Sequence, residues 1–319
     1  MCSSSKDELQ AVLDHLRRKF EITVVDPKFF LGFEIKRNRL EKSLSISQTY
    51  YIKKVLERFG MSDAKPASTP ADPSVRLCRE GTRDNPQSEK VTAPYREIMG
   101  SLNYAMIGTR PDIAFAVGLL SRFNRDPRMP HYAAAKTILS YLKGTADVGL
   151  LLGKRQSEKE NRSTCYVDSS YADDFDTRRS TSGFLMMYND APVIWKSRLQ
   201  SMVTHSTTEA EFIAASYACK QLRQLLHELN RDEALATPIH IDNQGALKLI
   251  ANRQVHARTK HLDIRYMSIR ELEANGVIET KYIGTEKQLA DLLTKALYRD
   301  RFSIPVSYTH LTLPTNREV

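Results

Sequence analysis

The chain has 319 residues, enough for two domains with cores of their own, and its 41% hydrophobic and 27% charged residues are the proportions of an ordinary globular protein. No stretch approaches the roughly 18 apolar residues of a membrane span, and the N-terminus carries no signal-peptide pattern. A formal net charge of +9 suits a polyanionic partner, nucleic acid first, although it serves solubility equally well.

The four cysteines (Cys2, Cys78, Cys165, Cys219) lie far apart with no CxxC pair. They indicate neither a zinc site nor a disulfide framework, and a reducing intracellular compartment is expected. Residues 7–20 place Leu9, Val12, Leu13, Leu16 and Phe20 on one helical face. Phe29–Ile35 and Leu44–Ile46 read as two strands joined by the polar turn Lys36–Lys42. Ser47–Phe59 reads as a second helix, with Tyr51, Val55, Leu56 and Phe59 inward and Gly60 as its stop. So short a hairpin does not bury a sheet alone, and chain upstream is expected to complete that core.

Residues 63–94, with Pro66, Pro70, Pro73, Pro86 and Pro94, read as an irregular or mobile linker. Helical patterns return over 95–153, through Ile98, Leu102, Ala105 and Met106, then Ile113, Val117 and Leu120, then Ala134, Ile138 and Leu142. Gly144-Thr145 closes this block, and the polar run Lys154–Arg162 is a candidate domain boundary. Beyond it, Thr164–Asp168 is a strand, and Ser182–Met187 and Val193–Trp195 are hairpin partners around Asn189-Asp190. A long helix Ser206–Leu229, a strand Pro238–Asp242 and a short helix Asn243–Ile250 follow. Then come a helix Leu262–Ala274, a strand Gly276–Ile283 and a final helix Glu286–Leu297. That order predicts an α/β domain, a mixed sheet flanked by helices.

Acids stand at suggestive places in this block. Asp168 lies in a strand beside Tyr166 and Val167, Asp242 ends the strand Ile239-His-Ile241, and Asp291 sits between Ala290 and Leu292 on the last helix. Each alone reads equally well as a surface carboxylate. Carboxylates converging from different elements are what a two-metal phosphodiester hydrolase needs, and hard oxygen ligands suit Mg²⁺. Two carboxylates 4 Å apart repel by about 4 kcal/mol at an effective dielectric of about 20, so a cluster of four implies a bound cation. The run Ser206-Thr-Thr-Glu-Ala-Glu211 offers two glutamates. Ser206 and Glu209 fit a capping box, which occupies Glu209. Glu211 shares a face with Ala215, Ala218 and Leu222, so Glu211 is the expected ligand.

Six runs together resemble the ribonuclease H region of copia-type retrotransposon Pol polyproteins. They are Tyr166-Val-Asp-Ser-Ser-Tyr-Ala-Asp-Asp174, Arg178-Arg-Ser-Thr-Ser-Gly183, Ser206-Thr-Thr-Glu-Ala-Glu-Phe212, Ile241-Asp-Asn-Gln-Gly-Ala246, Arg258-Thr-Lys-His-Leu-Asp-Ile264 and Gln288-Leu-Ala-Asp-Leu-Leu-Thr-Lys295. Upstream, Phe30-Leu-Gly-Phe-Glu-Ile35, Thr109-Arg-Pro-Asp-Ile113 and Tyr141-Leu-Lys-Gly-Thr145 resemble the end of the reverse transcriptase and the connection after it. The resemblance covers roughly residues 8–299. It implies a ribonuclease H-like mixed sheet flanked by helices, preceded by an incomplete α+β reverse transcriptase segment and a helical connection.

The corresponding divisions are 1–62 (reverse transcriptase remnant), 63–94 (linker), 95–153 (connection), 160–299 (ribonuclease H) and 300–319. Ile304–Val319 does not resemble the family's end and is expected to be an expression-derived, frameshifted or assembly-derived tail. The resemblance further implies two Mg²⁺ ions, with Mn²⁺ as a substitute, held by Asp168, Glu211, Asp242 and Asp291. It implies cleavage of RNA within an RNA–DNA hybrid, association with the remainder of the Pol polyprotein, no membrane partner, and a place in a cytoplasmic particle or the nucleus.

The polymerase turn Tyr-x-Asp-Asp is expected upstream of residue 1. Tyr171-Ala-Asp-Asp174 imitates it but falls in the turn after the first ribonuclease H strand, so Asp173 and Asp174 read as solvated turn residues. Cellular ribonucleases H often place a histidine shortly before the last aspartate. Tyr282–Ala290 has none, and His256 and His261 are the nearest substitutes. Arg178, Arg179, Lys196, Arg198, Arg258, Lys260 and Lys295 are candidates for phosphate contacts, or are ordinary solvated charge. Trp195 either stacks on a sugar or packs in a core, and the core is preferred. Asn243 either binds substrate or caps the next helix, and the cap is preferred.

Overall fold

The computed structural model describes residues 5–23, 28–82, 84–85, 87–153, 163–228, 236–252 and 264–309. The polar run 154–162, both histidines His256 and His261, and both candidates Arg258 and Lys260 lie outside the described residues.

The first part of the chain runs α1 (Lys6–Lys19), β1 (Phe29–Phe30), β2 (Phe33–Asn38), β3 (Ser43–Ser47), α2 (Thr49–Arg58), β4 (Leu77–Cys78), β5 (Gly81–Thr82), α3 (Tyr95–Gly108), α4 (Ala114–Ser121), α5 (Met129–Gly144) and β6 (Leu150–Leu152). β1 and β2 turn tightly at Leu31 and Gly32, with φ of 48° and 80°. A left-handed pair suits such a hairpin, and glycine adopts it without steric cost. Strands β1-β2-β3-β6 form one antiparallel sheet. The partner that extends the hairpin beyond β3 is therefore β6, from within the same chain. α2, α3, α4 and α5 bury Ile52, Leu56, Ile98, Leu102, Val117 and Ile138 in a common core.

Two of the upstream motifs meet inside that core. Arg110 and Asp112 have fully buried side chains. Arg110 Nε and Nη2 donate to Asp112 at 3.0 and 2.7 Å, and Nη1 donates to the Thr145 carbonyl at 2.7 Å. Tyr141 adds a hydroxyl bond to Asp112 at 2.6 Å. A buried ion pair repays its desolvation only when its remaining donors and acceptors are satisfied, and these residues satisfy one another.

The proline-rich segment 63–94 is mostly irregular, as expected, but it is docked. His131 Nε2 lies 2.8 Å from the Cys78 carbonyl beside the β4–β5 hairpin. The Arg79 N–H donates to Asp176 at 3.0 Å, and Ala67 N–H donates to the Ser140 carbonyl.

The second part runs β7 (Ser163–Ser170), β8 (Thr181–Tyr188), β9 (Ala191–Leu199), α6 (Thr207–Glu228), β10 (Thr237–Ile241), α7 (Gln244–Ala251), α8 (Ile264–Ala274), β11 (Ile278–Tyr282) and α9 (Arg299–Thr309). The sheet order is β11-β10-β7-β8-β9. β10 is parallel to β7 and β11, while β7, β8 and β9 are antiparallel, which is the mixed α/β architecture expected. Alternation along β7 sends Cys165 and Val167 into a core with Phe212, Ala215, Ala218 and Leu222 of α6. The opposite face is covered by Ala114 of α4 and by Leu289, Leu292 and Leu293. Trp195 packs there and donates to the Met106 carbonyl at 2.9 Å, the core role preferred above.

The strand expected over Phe29–Ile35 is divided by the Leu31-Gly32 turn into β1 and β2, and the last expected helix also differs. Residues 286–297 are not a regular helix: the chain makes two 3₁₀ turns, Thr285–Lys287 and Leu289–Leu293. All five residues of the second turn are buried. An amphipathic helix needs an exposed face, and residues 288–294 have none because the sheet and the helical block enclose them, whereas Glu286 and Lys287 before them are exposed. Residues through Thr309 are also folded, since α9 buries Phe302 against Tyr141 in the helical core. Among the described residues no helix is long and apolar enough to cross a membrane.

Candidate active site

Three acids converge at the carboxyl ends of β7 and β10. The parallel register pairs Tyr166 with His240, and two further residues along each strand stand Asp168 and Asp242. Glu211 comes from the start of α6, whose first turn is fixed by the expected Ser206 cap, with Glu209 reaching past Ser206 to His205. Ser206 Oγ accepts from the Glu209 N–H at 3.2 Å, and the Glu209 carboxylate accepts from the His205 N–H at 2.8 Å. Glu209 is therefore occupied at the helix start, leaving Glu211 to face the strands. One oxygen from each of Asp168, Glu211 and Asp242 lies within 4.8 Å of the other two.

Few protein groups neutralise this cluster. Glu211 Oε1 accepts from the Ser169 N–H at 2.9 Å, but Oε2 is buried with no hydrogen-bond partner. Burial, then Asp168 and Asp242, push the Glu211 carboxyl well above the usual range. Burial, then Asp168, likewise raise Asp242, which accepts from Thr285 Oγ1 at 2.9 Å. An orphaned buried oxygen among carboxylates fits a hard divalent cation, because each such group is otherwise costly.

Asp291 stands next to this trio but is otherwise engaged. Its oxygens pair with Lys295 Nζ and Arg301 Nη2, each at 2.8 Å. Burial, then Asp168, push its carboxyl up to about 6 against these cations. Lys295 also approaches Asp168 at 3.6 Å, and Thr294 donates its hydroxyl to the same carboxylate. Lys295, a phosphate candidate from sequence, thus sits on the acids themselves.

The other basic candidates among the described residues lie elsewhere. Arg178 is exposed in the turn after β7 with φ of 56°, Arg179 follows it, and Lys196 and Arg198 are exposed on β9 beside Tyr217. Asn243 is the cap of α7, accepting from the Ala246 N–H at 2.9 Å. The turn Tyr171-Ala-Asp-Asp174 corrects the sequence reading. Asp174 is buried, pairing with Arg122 at 3.0 Å and accepting from the Thr177 N–H. Asp173 accepts from Thr181 at 2.8 Å, and burial pushes its carboxyl up to about 6. The acids are not solvated because the helical block packs over this turn.

Sequence reasoning passed over the residues that hold the acids in place. Gly183 pairs with Asp168 across β7–β8. Gln288 donates to the Val167 carbonyl at 2.8 Å and so ties the Asp291 turn to β7. Gln200 touches three elements near the trio. Their separations run from 10 residues for Gln200 and Ala210 to 121 for Gln288 and Val167, and no helical or strand period signals any of them.

The chain is 38% identical over 295 residues to the retrovirus-related Pol polyprotein from transposon TNT 1-94 of Nicotiana tabacum, covering 91% of this chain. It is 37% identical over 299 residues to the corresponding polyprotein from transposon RE1 of Arabidopsis thaliana, covering 92% of this chain. The chain belongs to the copia-type retrotransposon Pol polyproteins. It spans 22% and 20% of the length of those two Pol relatives. No protein-family model matches this Pol segment. Among solved structures, the N-terminal RNase H domain of rv2228c from Mycobacterium tuberculosis aligns over 46% of this chain and 98% of its own, with 10% identity and a TM-score of 0.33.

Proposed function

We propose that residues 160–299 of this Pol segment act as a ribonuclease H, hydrolysing RNA within RNA–DNA hybrids during reverse transcription. The observation that carries the reading is the trio Asp168, Glu211 and Asp242, drawn from three elements to within 4.8 Å, with one buried oxygen of Glu211 lacking a partner.

Asp168, Glu211 and Asp242 would hold a divalent ion, Mg²⁺ or its substitute Mn²⁺, and Asp291 would join them for a second. Bound there, the ions would supply water activation and stabilisation of the leaving oxygen. The chain's own residues provide the rest. The Ser169 N–H orients Glu211. Thr285 and Thr294 orient Asp242 and Asp168. Lys295 provides positive charge beside the acids, where a phosphate of the hybrid would approach. Arg178, Arg179, Lys196 and Arg198 would grip the flanking backbone. Residues 1–62 would be the end of the reverse transcriptase and 95–153 its connection. Polymerase activity through Tyr171-Ala-Asp-Asp174 is not expected from this chain alone, because Asp173 and Asp174 are engaged with Thr181 and Arg122.

The test is cleavage of an RNA–DNA hybrid in Mg²⁺ by the full chain and by Asp168→Asn. Cleavage by the parent alone supports the reading, and equal cleavage by both overturns it. A second reading has its own observation: Asp291 is committed to Lys295 and Arg301. On that reading the segment grips hybrid without cutting it. Hybrid affinity with no cleavage across Mg²⁺ and Mn²⁺ concentrations would favour it.

A further inference from the structure

We infer that Gln200 is a positioning residue for the metal-binding carboxylates, its side-chain amide setting the start of α6, and with it Glu211, against the end of β7 that carries Asp168. The inference rests on the reading of the trio as a cation site.

Gln200 follows β9 directly and is buried. Its backbone N–H donates to the Ser180 carbonyl at 2.8 Å, anchoring it to the approach to β8. Its Nε2 lies 2.8 Å from Ser182 Oγ, 2.9 Å from the Ala210 carbonyl and 3.3 Å from Ser169 Oγ. These partners belong to β8, α6 and β7. Ser169 adjoins Asp168, and its own N–H holds Glu211. Ala210 adjoins Glu211. One amide group therefore bridges the neighbours of both acids.

The orientation of the amide follows from its partners. A carbonyl accepts only, so the Ala210 oxygen requires the NH₂ side of Gln200 to face it. Gln200 Oε1 is left buried without a partner. A buried acceptor left unmet needs a reason, and here both N–H donors of the same amide are taken up, with Ser169 Oγ, at 3.3 Å, sharing one of them with a closer acceptor. Groups that orient metal ligands from behind control metal affinity without touching the ion.

The test uses the full chain and binding of Mn²⁺ followed by electron paramagnetic resonance. Gln200→Met removes the donor and keeps the length and bulk, and should weaken Mn²⁺ binding about tenfold or more. Ile138→Val, in the separate helical core, controls for stability and should leave Mn²⁺ binding unchanged at a comparable loss in Tm. If Gln200→Met does not fold, Ser182→Ala removes one acceptor of the same amide and should weaken binding in the same direction. Unchanged Mn²⁺ affinity in the folded Gln200 or Ser182 variant overturns the inference. So does a loss that the control reproduces. Hybrid cleavage measured alongside separates the two readings. A parent chain that binds Mn²⁺ through Glu211 but leaves the hybrid uncut overturns the nuclease and preserves the role of Gln200. A parent with no Glu211-dependent Mn²⁺ binding overturns both.

Discussion

Gly183 lies directly opposite Asp168 in the antiparallel β7–β8 ladder, and the space where its side chain would be is filled by the turn that carries Asp291. A Cβ at Gly183 would stand 2.6 Å from Thr294 Cγ2 and 2.8 Å from Leu293 Cβ. The close approach of that turn to β8, opposite Asp168, is thus written into one missing methyl group.

Gly183→Ala is therefore expected to push the Leu289–Leu293 turn off the sheet. Overpacking of this kind costs about 1–3 kcal/mol, and the displacement carries Asp291 and Thr294 away from Asp168. Thermal melts and a Mg²⁺ titration would both register it. A variant with parent Tm and parent metal affinity would show that the turn yields without consequence.

Lys295 makes a prediction of opposite sign for metal and for hybrid. Its ammonium pairs with Asp291 at 2.8 Å and approaches Asp168 at 3.6 Å, so a divalent ion entering there meets a resident cation. Lys295→Met should tighten Mg²⁺ binding severalfold, since two unit charges about 4 Å apart at an effective dielectric of about 20 repel by about 4 kcal/mol, and an ammonium and a divalent ion by about twice that, before solvent and side-chain relaxation reduce it. The same variant should bind hybrid more weakly and with a shallower salt dependence. Isothermal titration with Mg²⁺, and hybrid binding at two salt concentrations, separate the two effects. Weaker Mg²⁺ binding would mean that Lys295 positions Asp291 rather than competing with the ion.

Sequence reading singled out Asp168, Glu211 and Asp242, which the fold brings together, from their order on separate elements, since none is distinctive alone. Strand alternation places the first, a capping box frees the second, and a strand end marks the third. The shape of the Asp291 segment was hidden. Leu289, Leu292, Leu293 and Leu297 satisfy helical spacing, yet enclosure on every side favours 3₁₀ turns. The supporting shell was hidden for a different reason. Gln288 meets Val167 and Thr294 meets Asp168 across more than a hundred residues, and hydrogen-bond partners at such range leave no periodicity. The same holds for Asp174, whose solvated reading failed because its partner Arg122 comes from the preceding helical block.

That contact supplies a stability test. Arg122, at the end of α4, donates to Asp174 at 3.0 Å and to Thr181 at 2.9 Å. Removing one partner of a largely buried pair leaves the other charge uncompensated, so Arg122→Ala should cost about 3 kcal/mol. Replacing both, as Arg122→Met with Asp174→Asn, should recover part of the loss. Denaturant unfolding of the single and double variants measures this coupling. Additive losses would show that the pair contributes no binding between the two parts of the chain.

The acid cluster predicts how stability depends on pH. Burial, then Asp168, raise the Asp291 carboxyl from 3.8 to about 6, and burial with neighbouring acids raises Glu211 and Asp242 as well. Between those limits the folded chain holds a proton at Asp291 that the unfolded chain has lost. The unfolded state then binds fewer protons, so this contribution to stability is fully present below about 4 and is lost as pH rises through about 6. In EDTA these groups should make the protein melt higher at pH 5 than at pH 7.5. The double variant Glu211→Gln with Asp291→Asn should show a shallower decline than the parent. On the proposed reading Mg²⁺ should reverse the trend, because it would bind the ionised acids. At a concentration about one hundred times its Kd a ligand stabilises by about 2.7 kcal/mol, and that gain should be present at pH 7.5 and shrink towards pH 5. Calorimetric melts at both pH values, with Mg²⁺ and with EDTA, give the four numbers needed. If the parent and the double variant decline equally in EDTA, the proton is not held at these acids.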